Sequence, residues 1–138
     1  MKITRFVSRI FQENCYLLWD EESHEAAIVD PGMMSCDEQN QVDAFLNNNN
    51  IVLKYVLLTH AHIDHAASAE YLSKTHKAMV CAHSGETYLA QNLPMQNEMF
   101  GLGLKIQPLT IGKTLSDGDV LHVANEKIEV RHCAGHSE

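Results

Sequence analysis

The stretch LLTHAHIDHAAS at residues 57–68 contains three histidines and one aspartate within six positions: His60, His62, Asp64 and His65. The residues at 55–58, YVLL, overlap its start and are all apolar or aromatic, which is typical of a strand buried on both faces. Helix-forming residues follow it. The segment therefore lies at the carboxyl end of a predicted strand, where open α/β sheets bind their ligands.

The spacing of these four residues predicts a metal site. If the chain stays extended through His62, then His60 and His62 point to the same side, as residues i and i+2 of a strand must. Asp64 and His65 follow where the chain turns into a helix and can face a second point nearby. The alternative is a solvated cluster that arose by chance among nine histidines. Four coordinating residues at set spacing favour the metal site, with zinc, iron or manganese as candidates.

Length and composition predict one globular domain over residues 1–138, since the chain is 45% apolar and 20% charged. The net charge of −8 disfavours nucleic acid and anionic membrane surfaces as partners. No apolar run approaches a membrane span, and polar residues interrupt any signal-like core near the N-terminus. We expect a cytoplasmic protein whose four widely spaced cysteines remain thiols. The sequence does not decide the oligomeric state.

Short apolar, β-branched segments predict seven strands, and helical patterns occur between some of them. The predicted strands are 3–7, 15–19, 26–29, 55–58, 79–82, 120–123 and 128–130, the last two joined by a hairpin at Asn125-Glu126. Ser35 begins a capping-box pattern for one helix, and a second helix is predicted after His65. A third helix is predicted over about residues 84–92, with Pro94 stopping it. The order of these elements indicates a mixed α/β domain.

The H-x-H-x-D-H segment resembles the signature of the metallo-β-lactamase superfamily. QENCYLLW and AAIVDPG resemble the opening strands of that family, and HCAGHS at 132–137 resembles its H-x-P-G-H segment. LPMQNEMFGL and the order of the segments are most similar to the small glyoxalase II-like hydrolases. The resemblance implies an α/β fold of the four-layer αββα type. Residues 1–138 would form its N-terminal portion, incomplete at the C-terminus.

The resemblance also implies ligand roles. His60, His62 and His136 would hold a first metal ion, and Asp64 and His65 would help to hold a second. One or two Zn²⁺ ions are expected, with Fe or Mn as alternatives. The family's bridging aspartate and further histidine follow the position of His136 and are not in this sequence. We therefore expect at most one firmly held ion and weak turnover.

The activity that the resemblance implies is hydrolysis of a small-molecule thioester of the hydroxyacyl-glutathione type by a metal-bound hydroxide. Asp64 would be the catalytic residue, because it would both ligate metal and accept a hydrogen bond from the nucleophile. Two alternatives stay open. Related members with the same motif use a single iron to oxidise persulfides, and the chain could instead be a truncated metal-binding scaffold without turnover.

Other residues have two interpretations each. Asp30 in VDPG either orients a ligand histidine or is a turn aspartate ahead of Pro31. Met95, Met99 and Phe100 are predicted to lie in an apolar loop with Leu102, which either lines a substrate mouth or packs into the core. The remaining histidines, His24, His76, His83, His122 and His132, are predicted not to be ligands.

Overall fold

The computed structural model describes residues 1–124 and 126–130; Asn125 and residues 131–138 lie outside the described residues. The strands are β1 (Lys2–Val7), β2 (Asn14–Trp19), β3 (Glu25–Val29), β4 (Val52–Leu57), β5 (Met79–His83), β6 (Lys113–Leu115), β7 (Val120–Val123) and β8 (Glu126–Glu129). The helices are α1 (Cys36–Asn48), α2 (Ile63–Ala66), α3 (Ala69–His76), α4 (Thr87–Gln91) and α5 (Leu93–Phe100). The described helices include none that is long and apolar enough to cross a bilayer.

Six strands form one sheet in the order β1-β2-β3-β4-β5-β6, and β7 and β8 form a second sheet. Strands β1 to β3 pair antiparallel, whereas β3 to β6 pair parallel. Because β2 runs opposite to β3, the start of β2 lies at the same edge of the sheet as the ends of β3, β4 and β5. The segments that follow β3, β4 and β5 therefore lie at the same edge as the segment that precedes β2.

The helices cover one face of the large sheet and the β7–β8 hairpin covers part of the other. Val42 of α1 and Leu72 of α3 are fully buried in a core that includes Ile28 and Val56 of the sheet. On the opposite face, Leu121 and Val123 of the hairpin are buried with residues that alternate with the first set, namely Ala27, Leu57 and Cys81. Helices, large sheet and small sheet are three successive layers of the expected αββα arrangement.

Helix α1 begins as its capping pattern predicts. The Ser35 hydroxyl oxygen accepts a hydrogen bond from the Glu38 amide at 3.2 Å and donates to the Glu38 carboxylate at 2.9 Å. This reciprocal cap satisfies a backbone donor that has no partner inside the helix, which is worth about 1 kcal/mol. The cap therefore fixes the residue at which α1 begins after the segment that follows β3.

Helix α4 ends at Gln91, close to the end that the sequence predicts, but Pro94 lies in the first turn of the next helix, α5, which the sequence does not predict. A proline fits there because first-turn amides have no acceptor within the helix. Met95, Met99 and Phe100, predicted to lie in a loop, are therefore helical and are exposed. The Phe100 ring contacts the Phe11 ring with centroids 5.7 Å apart, while Leu102 is partly buried against the main core.

The single helix expected after His65 is two helices. Helix α2 begins at Ile63, before His65. The helical conformation is interrupted at Ser68, and α3 begins at the next residue. Fully buried Ser68 uses its amide to bond the Pro31 carbonyl at 2.8 Å, a tertiary contact that the local pattern does not reveal. Strand β6 is also missing from the sequence prediction. The hairpin is present, with Glu126 inside β8 and paired with Val123.

Candidate metal centre

The candidate site lies at the edge where β2 begins and β3 and β4 end. Glu13 directly precedes β2, Asp30 directly follows β3, and residues 59–65 follow β4. Each segment leaves the sheet at the same edge because of the strand order. The topology therefore brings together acidic residues and histidines that are far apart in the sequence.

The predicted ligands of residues 60–65 lie close together. The His60 ring centroid lies 5.5 Å from that of His62 and 3.8 Å from that of His65. The Asp64 carboxylate lies 3.4 Å from His65 Nε2. His62 keeps extended backbone angles at the start of α2, as the spacing argument requires. His136 lies outside the described residues, and its predicted role as a ligand stays a prediction.

Asp30 is buried and binds two parts of the motif. Its carboxylate accepts hydrogen bonds from the Thr59 amide at 2.8 Å and from the Thr59 hydroxyl at 2.6 Å. It also lies 3.1 Å from His65 Nδ1. Asp30 has a left-handed backbone with φ of +54°, which is uncommon for a residue other than glycine and costs energy. These contacts favour the orienting role over that of a simple turn residue.

Thr59 links Asp30 to His60. The Thr59 hydroxyl donates its one proton to Asp30, so toward His60 it can act only as an acceptor. It lies 3.1 Å from His60 Nδ1, which must then carry the ring proton of the neutral histidine. The lone pair is thereby placed on Nε2. Fixing the tautomer of a ligand histidine through its other nitrogen is the usual arrangement in protein metal sites.

Glu13 is a site residue that sequence reasoning missed. Its side chain is 6% exposed, and Oε1 lies 3.3 Å from His65 Nδ1. Within the described residues, neither carboxylate oxygen accepts a hydrogen bond. The signal in the sequence is that Glu13 is an acidic residue directly before β2. Because β2 runs antiparallel to β3, the start of β2 lies beside the end of β3, where Asp30 follows.

Burial and mutual charge shift the pKa values in this group. Desolvation raises the pKa of Glu13 from 4.5 to about 8, with the charge of His65 opposing and those of Asp30 and Asp64 adding to the rise. For His65, burial lowers the pKa, but the hydrogen bond to Asp30 and the surrounding carboxylates outweigh it, so the pKa is raised overall. Both shifts reflect excess negative charge at a partly desolvated site.

Gly32 lets the segment after β3 approach the motif. A Cβ at this position would lie 1.8 Å from the Asp64 carbonyl oxygen and 2.8 Å from Glu13 Oε2. Only glycine fits there without displacing the backbone. The DPG turn, the motif and Glu13 are thus in direct contact.

The residues fit a divalent cation. Glu13, Asp30 and His65 bring atoms that can ligate metal within 4.8 Å of one another, with Asp30 bonded to His65 Nδ1 as the orienting partner of that ring. The Glu13 oxygens are buried without a donor, a costly state that added positive charge nearby relieves. Together with the neighbouring His60, His62 and Asp64, the donor set of imidazoles and carboxylates suits zinc, iron or manganese.

Several histidines and cysteines have other partners. His76 binds Asp43 at 2.7 Å between α3 and α1, and His24 binds the Asn49 carbonyl at 3.0 Å. Cys15 and Cys81 are buried free thiols. Burial raises both of their pKa values, that of Cys81 to about 11, so they remain protonated. His24 and His76 thus have structural partners of their own, and the prediction that the remaining histidines are not ligands stays a prediction.

Comparison with known proteins identifies the family. The profile of the metallo-beta-lactamase superfamily matches residues 9–138. The chain belongs to this superfamily, as its motifs predict.

Three similar proteins show the range of sequence identity and of structural similarity to this chain. It is 34% identical to hydroxyacylglutathione hydrolase GloC of Haemophilus influenzae, over 92% of this chain and 58% of that protein. Among solved structures, the B3 metallo-beta-lactamase BLEG-1 has a TM-score of 0.77 at 24% identity, over 99% of this chain and 63% of that one. TTHA1623 in a di-iron-bound form has a TM-score of 0.70 at 26% identity, over 86% of this chain and 60% of that one. The chain spans less than two thirds of each.

Proposed function

We propose that this protein is a metal-dependent hydrolase of thioesters of the hydroxyacyl-glutathione type. The observation that carries the proposal is the cluster of His60, His62 and His65 rings beside Asp64 at the carboxyl edge of the sheet. The similarity to a named hydroxyacylglutathione hydrolase supports the substrate class.

His60, His62 and His136 would hold a first ion and Asp64 and His65 a second, with zinc as the proposed metal. Such an ion supplies a water of lowered pKa and therefore a nucleophile at neutral pH. A di-iron-bound structure among the similar proteins supports two-ion binding in this fold and keeps iron as an alternative.

The chain's own residues orient the ligands and handle protons. Asp30 accepts from His65 Nδ1, which directs His65 Nε2 toward Asp64. Thr59 holds the proton of His60 on Nδ1. The Asp64 carboxylate is about one third exposed, so a solvent-derived nucleophile can reach it and donate a hydrogen bond to it. In this proposal Asp64 is the catalytic residue.

Metal content tests the site. Replacing His60 and His62 together by alanine should remove most of the zinc while the far-ultraviolet circular dichroism stays unchanged. His122→Ala, at an exposed position of β7, is the matched control and should keep its zinc. Undiminished zinc in the double variant would rule out these ligands.

Turnover tests the activity. Zinc-loaded protein should release free thiol from a hydroxyacyl-glutathione thioester, measured with a thiol reagent, and the His60→Ala/His62→Ala variant should not. Oxygen consumption with a persulfide by iron-loaded protein, without thioester hydrolysis, would contradict the proposal and favour the oxidative alternative. Bound metal with neither activity would favour a binding scaffold.

A further inference from the structure

The motif continues beyond the sheet, where its backbone needs new hydrogen-bond partners. Strand β4 ends at Leu57, and its neighbours β3 and β5 end at Val29 and His83. Buried peptide groups without partners are costly, so an extended segment here requires acceptors and donors from elsewhere. The first of them is the Asp30 carboxylate, which accepts the Thr59 amide.

The side chains of Glu86 and of Gln96 on α5 supply further partners. Glu86 Oε1 accepts the Ala61 amide at 2.8 Å. Gln96 Oε1 accepts the Ile63 amide at 2.8 Å, while Gln96 Nε2 donates to the Ala61 carbonyl at 3.3 Å. Ala61 and Ile63 are almost completely buried. These side chains thus take the place of a neighbouring strand along the motif.

Gln96 is itself held in place. Its Nε2 also donates to the Leu89 carbonyl at 3.2 Å, which ties its amide group to α4 as well as to its own helix α5. One side chain therefore connects two helices with the residues on both sides of His62. Because it fixes the peptide groups at 61 and 63, Gln96 restricts the backbone angles that set where the His62 ring points.

We propose that Gln96 is a positioning residue of the metal centre, which sets the relative geometry of His60 and His62 by bonding the backbone of Ala61 and Ile63. The inference rests on the proposed metal centre but not on the substrate. The hydrogen bonds from Gln96 to the motif reach the backbone atoms of Ala61 and Ile63, so its effect passes through the motif backbone.

Gln96→Met tests this, because methionine has nearly the same length and cannot form the hydrogen bonds. Gln91→Met is the matched control, since Gln91 on α4 also donates to one backbone carbonyl, that of Leu109, away from the motif. For Gln96→Met we expect zinc affinity, measured by chelator competition, to fall about 10- to 100-fold. The visible spectrum of the cobalt-loaded protein should change, and amide hydrogen exchange at Ile63 should accelerate. Gln91→Met should match wild type in zinc affinity, in the cobalt spectrum and in amide exchange at Ile63.

Gln96→Glu is a second variant in case the methionine variant does not fold. Its carboxylate still accepts the Ile63 amide but cannot donate to Ala61 or Leu89, so its zinc affinity should lie between those of wild type and Gln96→Met. Wild-type affinity and an unchanged cobalt spectrum in the folded variants would overturn the proposal. Loss of zinc affinity in a protein whose wild type hydrolyses no thioester would support the role of Gln96 while refuting the proposed substrate.

Discussion

Gly32 lies so close to Asp64 that a Cβ on the glycine would come within 1.8 Å of the Asp64 carbonyl oxygen. The contact joins the turn after β3 to the motif after β4. It involves the backbone of Asp64, so no change of side-chain rotamer can relieve it. The position of Asp64 therefore depends on the absence of a side chain at residue 32, in another loop.

Gly32→Ala should disrupt the site more than the fold. The added methyl group must push the turn and the motif apart, and such overpacking costs about 1–3 kcal/mol. Zinc binding, measured by titration calorimetry, should weaken together with the thermal midpoint. Gly112→Ala is the control, since its Cβ would meet the flexible Met79 side chain at 3.3 Å and Val80 backbone atoms at ordinary contact distances of 3.5 and 3.8 Å. Equal zinc affinity in both variants would contradict the contact.

Asp30→Asn should weaken metal binding about 10- to 100-fold, as loss of a partner to a ligand histidine commonly does. Asparagine tolerates the left-handed backbone of this position, so the change tests the carboxylate rather than the turn. Asp43→Asn is the matched control, because Asp43 also bonds a histidine and a hydroxyl, those of His76 and Tyr71, outside the site. Chelator competition measures the zinc affinity of both variants. Equal affinities would argue against the orienting role of Asp30.

Asp64→Asn should lower thioester hydrolysis by roughly 100-fold or more while most zinc at the histidine ligands remains. The amide keeps the shape of the side chain but removes the charge next to His65. Steady-state rates and elemental analysis on the same samples separate the two effects. Asp37→Asn, in the exposed first turn of α1, should change neither. Wild-type turnover in Asp64→Asn would exclude the catalytic role.

Glu13 should make the metal-free protein less stable as pH rises. Its pKa is about 8 in the folded chain against 4.5 ordinarily, so between these values the folded state holds a proton that the unfolded state has lost. Stability must fall across that window, by at most about 1.4 kcal/mol per pH unit for one proton. The raised pKa of His65 acts in the same direction above pH 6.5.

Glu13→Gln should flatten this dependence in urea unfolding at a series of pH values. The variant should exceed wild type in stability at pH 8 and approach it near pH 4. Glu22→Gln, in the exposed turn between β2 and β3, should keep the wild-type slope. If the free energy of unfolding of Glu13→Gln falls with pH as steeply as that of wild type, Glu13 does not carry the excess proton.

Local patterns predict much of the secondary structure. The apolar segments locate seven of the described strands, and the Ser35 pattern locates the start of α1. The prediction misses α5, since a proline is compatible both with the end of one helix and with the first turn of the next. It also misses the break at Ser68, because the Pro31 carbonyl that holds Ser68 lies far away in the sequence.

The sequence by itself determines the fold class and the family and predicts the ligands of the H-x-H-x-D-H motif, because four coordinating residues at fixed spacing are a local property of the chain. Only the tertiary structure decides which residues hold that motif in place. Glu13, Asp30, Glu86 and Gln96 lie outside the motif in the sequence. The strand order brings Glu13 and Asp30 to it, and the helical segments after β5 bring Glu86 and Gln96. The hydrogen bonds of Asp30, Glu86 and Gln96 replace those that a neighbouring strand would form, and no spacing within the motif encodes that substitution.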